Sequence, residues 1–110
     1  MDAPVLYAVR IWLDPAHRAR VIAWLDGGHQ AEVTSQPGFL WSRRYRLAED
    51  AKDGWHAYVA LYGLRDRGAL DAYAKNPIRE KFARESAPFE KVMRIERFTG
   101  MLDLALPRRG

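Results

Sequence analysis

The stretch Trp55 to Leu64, read W-H-A-Y-V-A-L-Y-G-L, is apolar at odd and even positions alike. Side chains alternate along a strand, so Tyr58, Ala60, Tyr62 and Leu64 point one way and Trp55, Ala57, Val59 and Leu61 the other. Neither face suits water. Val5 to Leu13 also alternates, with Tyr7, Val9, Ile11 and Leu13 on one side and Ala8, Arg10 and Trp12 on the other. Phe39 to Leu47 predicts a further strand, joined to Trp55–Leu64 by the polar connection Ala48 to Gly54 with Asp53-Gly54 at its tight end. Val92 to Met101 predicts the last strand, with Met93 and Ile95 opposite Arg94 and Glu96.

Between these strands the apolar period changes to that of a helix. Asp14 is placed to cap a helix that starts at Pro15, and Val21, Ile22, Leu25, His29 and Val33 form one stripe until Gln36-Pro37-Gly38 stops it. Asp66 caps a second helix with Leu70 and Tyr73 inward; Asn76-Pro77 breaks it, and Ile78 to Ser86 resumes with Phe82 until Pro88. The order β-α-β-β-α-β predicts an α+β, ferredoxin-like fold, a four-stranded antiparallel sheet with both helices on one face. Residues 1–104 are expected to form one domain and 105–110 a flexible tail. The second sheet face, with Trp12, Val59 and Leu61, would be a larger apolar patch than a soluble monomer usually exposes, and a homodimer packed through the sheet face removes it.

Composition narrows the classes. A length of 110 residues suits one core, and 48% hydrophobic residues with four Trp exclude a disordered chain. The absence of Cys removes disulfides, a thiolate nucleophile and Cys-based metal sites, and fits a reducing cytoplasm. No hydrophobic run reaches the length of a membrane span and the N-terminus lacks the pattern of an export signal, so a cytoplasmic protein without membrane association is expected. The net charge of +4 is spread over Arg43, Arg44, Arg46, Arg79, Lys81, Arg84, Arg108 and Arg109, the pattern of a solvated surface rather than of a nucleic-acid footprint.

Two groups of residues are candidates for chemistry. His29 lies on the sheet-facing stripe, where a half-buried imidazole can act as a general base, and Glu32, three residues on, is placed to orient it. A core histidine bonded to a backbone carbonyl fits the same position. Arg10 and Trp12 on the first strand, and Trp41, Arg43 and Tyr45 on one face of the second, fit a wall for a flat, partly anionic substrate, and equally a dimer interface. No metal site is expected, because His17, His29 and His56 fall on separate elements. No cofactor is expected either, and no glycine-rich phosphate loop is present. Glu49, Asp50 and Asp53 read as a solvated turn. Base stacking on RNA needs aromatics two apart on one strand face, whereas Trp55 and Tyr58 are three apart. The pair Gly27-Gly28 costs a helix about 1 kcal/mol per residue and marks a bend, a close approach by a partner or a ligand, or an early fray.

Tyr7-Ala-Val-Arg-Ile-Trp-Leu-Asp-Pro, then Trp24-Leu25 followed by His29-Gln-Ala-Glu32-Val33, then Pro37-Gly38-Phe39 opening a strand that ends Arg46-Leu47, resemble the dimeric α+β barrel superfamily. Within it the chain is most similar to DUF4286-type proteins of unknown function, and more loosely to EthD-like and antibiotic-biosynthesis-monooxygenase-like members. The resemblance spans residues 5 to 101, and Gly27-Gly28 departs from it where a bulkier polar pair would stand. It implies a homodimer with facing sheets and a cavity in each protomer between the sheet and the helices or loops. Members include cofactor-free oxygenases, polyketide cyclases, lactone isomerases and haem-degrading enzymes, and the fold does not choose among them. A haem-degrading role would imply a His on the second helix, and Asp66 to Ser86 contains none.

The expectation is therefore a barrel protein that binds a small hydrophobic or aromatic molecule, as a cofactor-independent monooxygenase, cyclase or isomerase acting on an aromatic or polyketide-like substrate. In that reading His29 is the base, Glu32 its orienter, Arg10 or Arg43 the stabiliser of negative charge, and Trp12 and Trp41 shape the pocket. The other classes are a non-enzymatic dimer with a filled core and an RNA-binding domain.

Overall fold

The structure, a computed structural model, describes residues 2–109. Strands β1 (Val5–Leu13), β2 (Phe39–Arg46), β3 (His56–Leu64) and β4 (Met93–Met101) form one sheet in the order β2-β3-β1-β4, with every neighbouring pair antiparallel. Helices α1 (Arg18–Trp24) and α2 (Gln30–Thr34) are joined through a kinked turn, Leu25–His29. Helices α3 (Arg67–Lys75) and α4 (Ile78–Ser86) follow β3, and a short 3-10 turn, Ala87–Phe89, leads towards β4. This is the ferredoxin-like α+β arrangement.

Alternation along the strands decides which side chains meet the helices. Val5, Tyr7, Ile11 and Leu13 of β1 and Tyr58, Ala60, Tyr62 and Leu64 of β3 are all buried. They form two clusters rather than one. The first joins Val5, Tyr7, Tyr62 and Leu64 to Val33, Ala69, Tyr73 and Phe82. The second joins Ile11, Leu13 and Tyr58 to Val21, Leu25, Phe89 and Met93. Burying such side chains stabilises the fold by about 1.5–3 kcal/mol each.

The helix starts differ from expectation in one case and match in the other. Asp14 does not cap a helix at Pro15. Its Oδ1 accepts from the Ala16 N–H at 3.0 Å and its carbonyl from the His17 N–H at 3.0 Å, which closes a turn, and α1 begins only at Arg18. The Asp14 N–H donates to the Val92 carbonyl at 2.9 Å, so this residue is held beside the start of β4 and the chain must turn before it can coil. Asp66 does cap α3, accepting from the Ala69 N–H at 2.8 Å. Asn76 is extended ahead of Pro77, and its side chain accepts from the Ile78 N–H at 2.9 Å to restart the helix as α4. Gly38 turns the chain into β2 at φ +83, and a methyl group there would stand 2.3 Å from the Ala69 Cβ, so α3 sits directly on this turn.

Trp55 lies just before β3 rather than within it. Its ring is 4.2 Å from the Arg94 guanidinium, which also forms a two-point ion pair with Asp53 at 2.8 and 3.1 Å. Arg94 pairs with Trp12 across the sheet on the face away from the helices, so the β2–β3 connection is clamped to β4 over one end of that open face. The rest of the face is partly covered by its own side chains. Ala8 and Ala57 are buried, Val59 and Leu61 half-buried, and the Trp41 ring lies across Gly63. No helix among the described residues is long and apolar enough to cross a membrane.

Candidate functional site

The split core leaves a cavity of about 190 Å³ between the sheet and the helices. Its sheet wall comprises Tyr7, Val9 and Ile11 of β1, Ala60 and Tyr62 of β3, and Met93, Ile95 and Arg97 of β4. Its helix wall comprises Trp24, Leu25, His29, Gln30 and Val33 from the first helical segment and Tyr73, Arg79, Phe82, Ala83 and Ser86 from α3 and α4. The volume is below the roughly 300–1,000 Å³ usual for drug-sized ligands, which limits an occupant to one or two rings.

His29 lines this wall from a kinked stretch of the helix. Trp24 and His29 are five residues apart, on different faces of a regular α-helix, and the kink at Gly28 between them lets their rings meet. Their rings stack at 4.1 Å and 17°, and the Phe82 ring meets the imidazole edge-on at 4.9 Å. The turn needs Gly28, whose φ of 147° lies in the region that side chains with a Cβ rarely adopt. Among the described residues no atom lies within 4 Å of a Cβ added at Gly27 or Gly28, so nothing in this chain packs against the pair, and the φ of Gly28 marks a bend.

Polar bonds to β2 hold both sides of this bend. Arg44 donates to the Asp26 carboxylate at 2.7 Å, within the turn, and to the side-chain Oε1 of Gln30 at 3.0 Å, just after it. Gln30 donates to Ser42 at 3.3 Å, and the Thr34 hydroxyl lies 2.8 Å from that of Ser42.

The buried Nδ1 of His29 has no hydrogen-bond partner among the described residues. Burial pushes the imidazole below its ordinary value of 6.5, opposed by the negative charges of Glu85 and Glu32 and reinforced by Lys81. The ring is therefore a neutral imidazole at pH 7. Glu32 does not orient it: its carboxylate bonds Lys81 at 2.5 Å, tying α2 to α4. The reason is geometric, since a neighbouring helix offers Glu32 a full positive charge while His29 is turned inward against Trp24.

The remaining candidates are brought together, but not around His29. Arg10, Trp12, Trp41, Arg43 and Tyr45 all lie on the open face of the sheet, where Arg43 stands 4.2 Å over the Trp41 ring and Arg10 5.9 Å from that of Trp12. The sheet itself separates them from the cavity. Within β2 the cavity-side positions are Ser42, Arg44 and Arg46, opposite Tyr62, Ala60 and Tyr58 of β3. Tyr58 is buried on the helix side, its hydroxyl accepting from Arg18 at 2.9 Å, and is closed to base stacking.

The cavity also has polar groups that the sequence reading left aside. Tyr7, Tyr62 and Tyr73 form an aromatic cluster with centroid separations of 5.6–5.7 Å from Tyr7. Burial raises the Tyr62 hydroxyl above its ordinary value and pushes that of Tyr73 up to about 12, so both stay protonated. Arg97 was accessible to strand alternation, because it follows Met93 and Ile95 at the inward-facing positions of β4. Arg79 carried no comparable signal.

Gly27 and Gly28 provide a test of the bend. Gly27 has no positive φ, and Gly27→Ala is expected to raise stability by about 0.5–1 kcal/mol, the usual gain from replacing glycine in a helix. Gly28→Ala is expected to lower it by about 1–3 kcal/mol through backbone strain alone. Urea unfolding followed by tryptophan fluorescence measures both, and equal effects at the two positions would contradict the geometry.

The family model described as "Domain of unknown function (DUF4286)" matches residues 4–97. No curated protein sequence matches the chain. Among solved structures, the chain is similar to SnoaB, a cofactor-independent oxygenase from Streptomyces nogalater, at 23% identity and TM-score 0.61, over 94% of this chain and 97% of that one. It is similar to the monooxygenase from the gene ActVA-Orf6 of Streptomyces coelicolor, in complex with the ligand Nanaomycin D, at 17% identity and TM-score 0.69, over 97% and 94% of the two chains. An ethyl tert-butyl ether d (ethd) family protein from Bacillus halodurans matches at 12% identity and TM-score 0.64, over 90% and 99%. At these identities the likeness establishes the fold. The chain belongs to the DUF4286 family and has the ferredoxin-like α+β fold shared with EthD-like and antibiotic-biosynthesis-monooxygenase-like proteins.

Proposed function

We propose that this protein binds a small aromatic molecule in the cavity between sheet and helices, and that His29 serves there as a general base in a reaction of the cofactor-independent monooxygenase, cyclase or isomerase type. The observation that carries the reading is an imidazole kept neutral by burial, lining an aromatic cavity, with a buried nitrogen left without a partner. A neutral imidazole accepts a proton from an acidic C–H or phenol O–H of the bound ring, and that step calls for neither metal nor organic cofactor. The cavity itself supports a binding role over a filled core. The similar structures described as a cofactor-independent oxygenase and as a monooxygenase with a bound ligand support the class.

The open sheet face supports the second half of the proposal, a homodimer. Tyr45 is 52% exposed and Phe98 41%, beside the half-buried Trp12, Trp41, Val59 and Leu61, and a facing sheet would cover them together. In this arrangement Arg10, Trp12, Trp41, Arg43 and Tyr45 are interface residues and do not touch the substrate. Tyr and Trp in such a position supply large contact area, and Arg supplies orientation.

Two measurements test the two halves. Exchange of the α-hydrogens of 2-tetralone, a two-ring ketone, for deuterium in D2O can be followed by proton NMR. The protein is expected to accelerate it, and His29→Ala to reduce the acceleration by about 100-fold, the lower end of general-base contributions; equal rates for the two proteins would remove His29 as the base. Light scattering is expected to give twice the chain mass for the unaltered protein and the single-chain mass for Leu61→Asp, whereas a monomer before substitution would refute the dimer.

A further inference from the structure

The charges around the cavity are unevenly satisfied. On the His29 side the acidic groups are already engaged: Glu32 bonds Lys81 at 2.5 Å, and Glu85 lies 4.0 Å from the same ammonium group. On the other side Arg79 of α4 and Arg97 of β4 both line the cavity, and among the described residues neither has a carboxylate within ion-pair distance. Each is held in place instead by a tyrosine. The Arg97 Nε donates to the Tyr7 hydroxyl at 3.2 Å, and the Arg79 guanidinium stands 5.2 Å from the Tyr73 ring centroid. The Tyr7 and Tyr73 rings are 5.6 Å apart, edge to face, so two guanidinium groups flank one pair of tyrosines. The positive charges of both arginines act on the Tyr73 hydroxyl, opposing the rise that burial causes.

Ala60, Tyr62 and Tyr73 of the lining are buried, Arg79 is half-buried, and Arg97 is exposed together with Ile95 and Ala83. The cavity therefore has buried aromatic walls and two positive charges at solvent-reached positions, one on the helix wall and one on the sheet wall. Guanidinium is a planar fork of donors that suits a carboxylate in two-point contact, and ring contacts restrict its motion without consuming all its N–H groups.

We infer that the cavity selects an aromatic carboxylate of one or two rings, with the ring among the aromatic side chains and the carboxylate between Arg97 and Arg79. This rests on the reading of the cavity as a small-molecule site and adds the charge of what it takes. The carboxylate end stays at these solvent-reached positions, where a charge keeps part of its hydration, and the ring reaches inward towards His29.

Calorimetric titration with sodium 2-naphthoate and with neutral 2-naphthamide, which have the same ring system, separates the two ideas. Naphthoate is expected to bind at least about tenfold more tightly than naphthamide at pH 7.5 and low salt, the size of one charged hydrogen bond. Arg97→Gln and Arg79→Gln are each expected to remove most of that preference, weakening naphthoate binding far more than naphthamide binding, and Arg97→Lys to retain part of it. Circular dichroism of each variant confirms that the fold is kept. Equal affinity for the two compounds, or a preference that neither substitution alters, would overturn the carboxylate inference and leave the cavity as a site for neutral rings. Binding of neither compound would overturn the small-molecule reading and this inference with it.

Discussion

The stack of His29 on Trp24 requires one backbone conformation, and the rest of the site depends on it. A regular helix through Leu25–His29 would carry the imidazole away from the Trp24 ring. The positive φ of Gly28 kinks the helix there, and the bonds from Arg44 to Asp26 and Gln30 fasten the chain on both sides of the kink. Backbone irregularity of this kind costs stability, and here it coincides with a buried imidazole nitrogen that has no partner among the described residues. A helix interior is an expensive place for two glycines unless they do something that alanine cannot.

The cavity follows from the same interruption. Helix segments of 7, 5, 9 and 9 residues cover a sheet with three strands of 9 residues and one of 8. The core divides into one cluster around Tyr62 and Tyr73 and another around Leu13 and Val21, and the space between them is lined by members of both. His29, Gln30 and Arg97 place polar atoms on a wall that is otherwise aromatic and aliphatic. On the other side of the sheet Arg43 stands over the Trp41 ring and Arg10 beside that of Trp12. The proposed function gives the two faces different tasks, enclosure of a small molecule and contact with a second sheet.

Strand faces and element order were legible because period-two alternation in β1 and β3 is nearly free of exceptions, and Asp66 marked its helix through a cap that the structure contains. Asp14 misled because an Asp-Pro pair also closes a turn, and its bond to Val92 comes from a distant part of the chain. The kink was not legible from periodicity, because Leu25, His29 and Val33 fit a 3.6-residue stripe, and only the glycine pair hinted at a break. The separation of His29 from Arg10, Trp12, Trp41, Arg43 and Tyr45 was available in principle. Arg10 and Trp12 alternate with Tyr7, Val9 and Ile11, which face the helices, so they belong to the opposite face from any residue on a helix. For Glu32 nothing local signalled Lys81, which lies 49 residues away.

The neutral, cavity-facing imidazole is the claim on which the functional reading stands, and nitrogen-15 NMR of labelled histidine across pH 4 to 8 tests it most directly. Burial opposes the charged form, so the His29 signal is expected to remain that of a neutral ring down through its ordinary value of 6.5 and to titrate only below it. It is also expected to shift when 2-naphthoate is added at pH 7.5. A His29 signal that titrates at or above 6.5 would contradict the account.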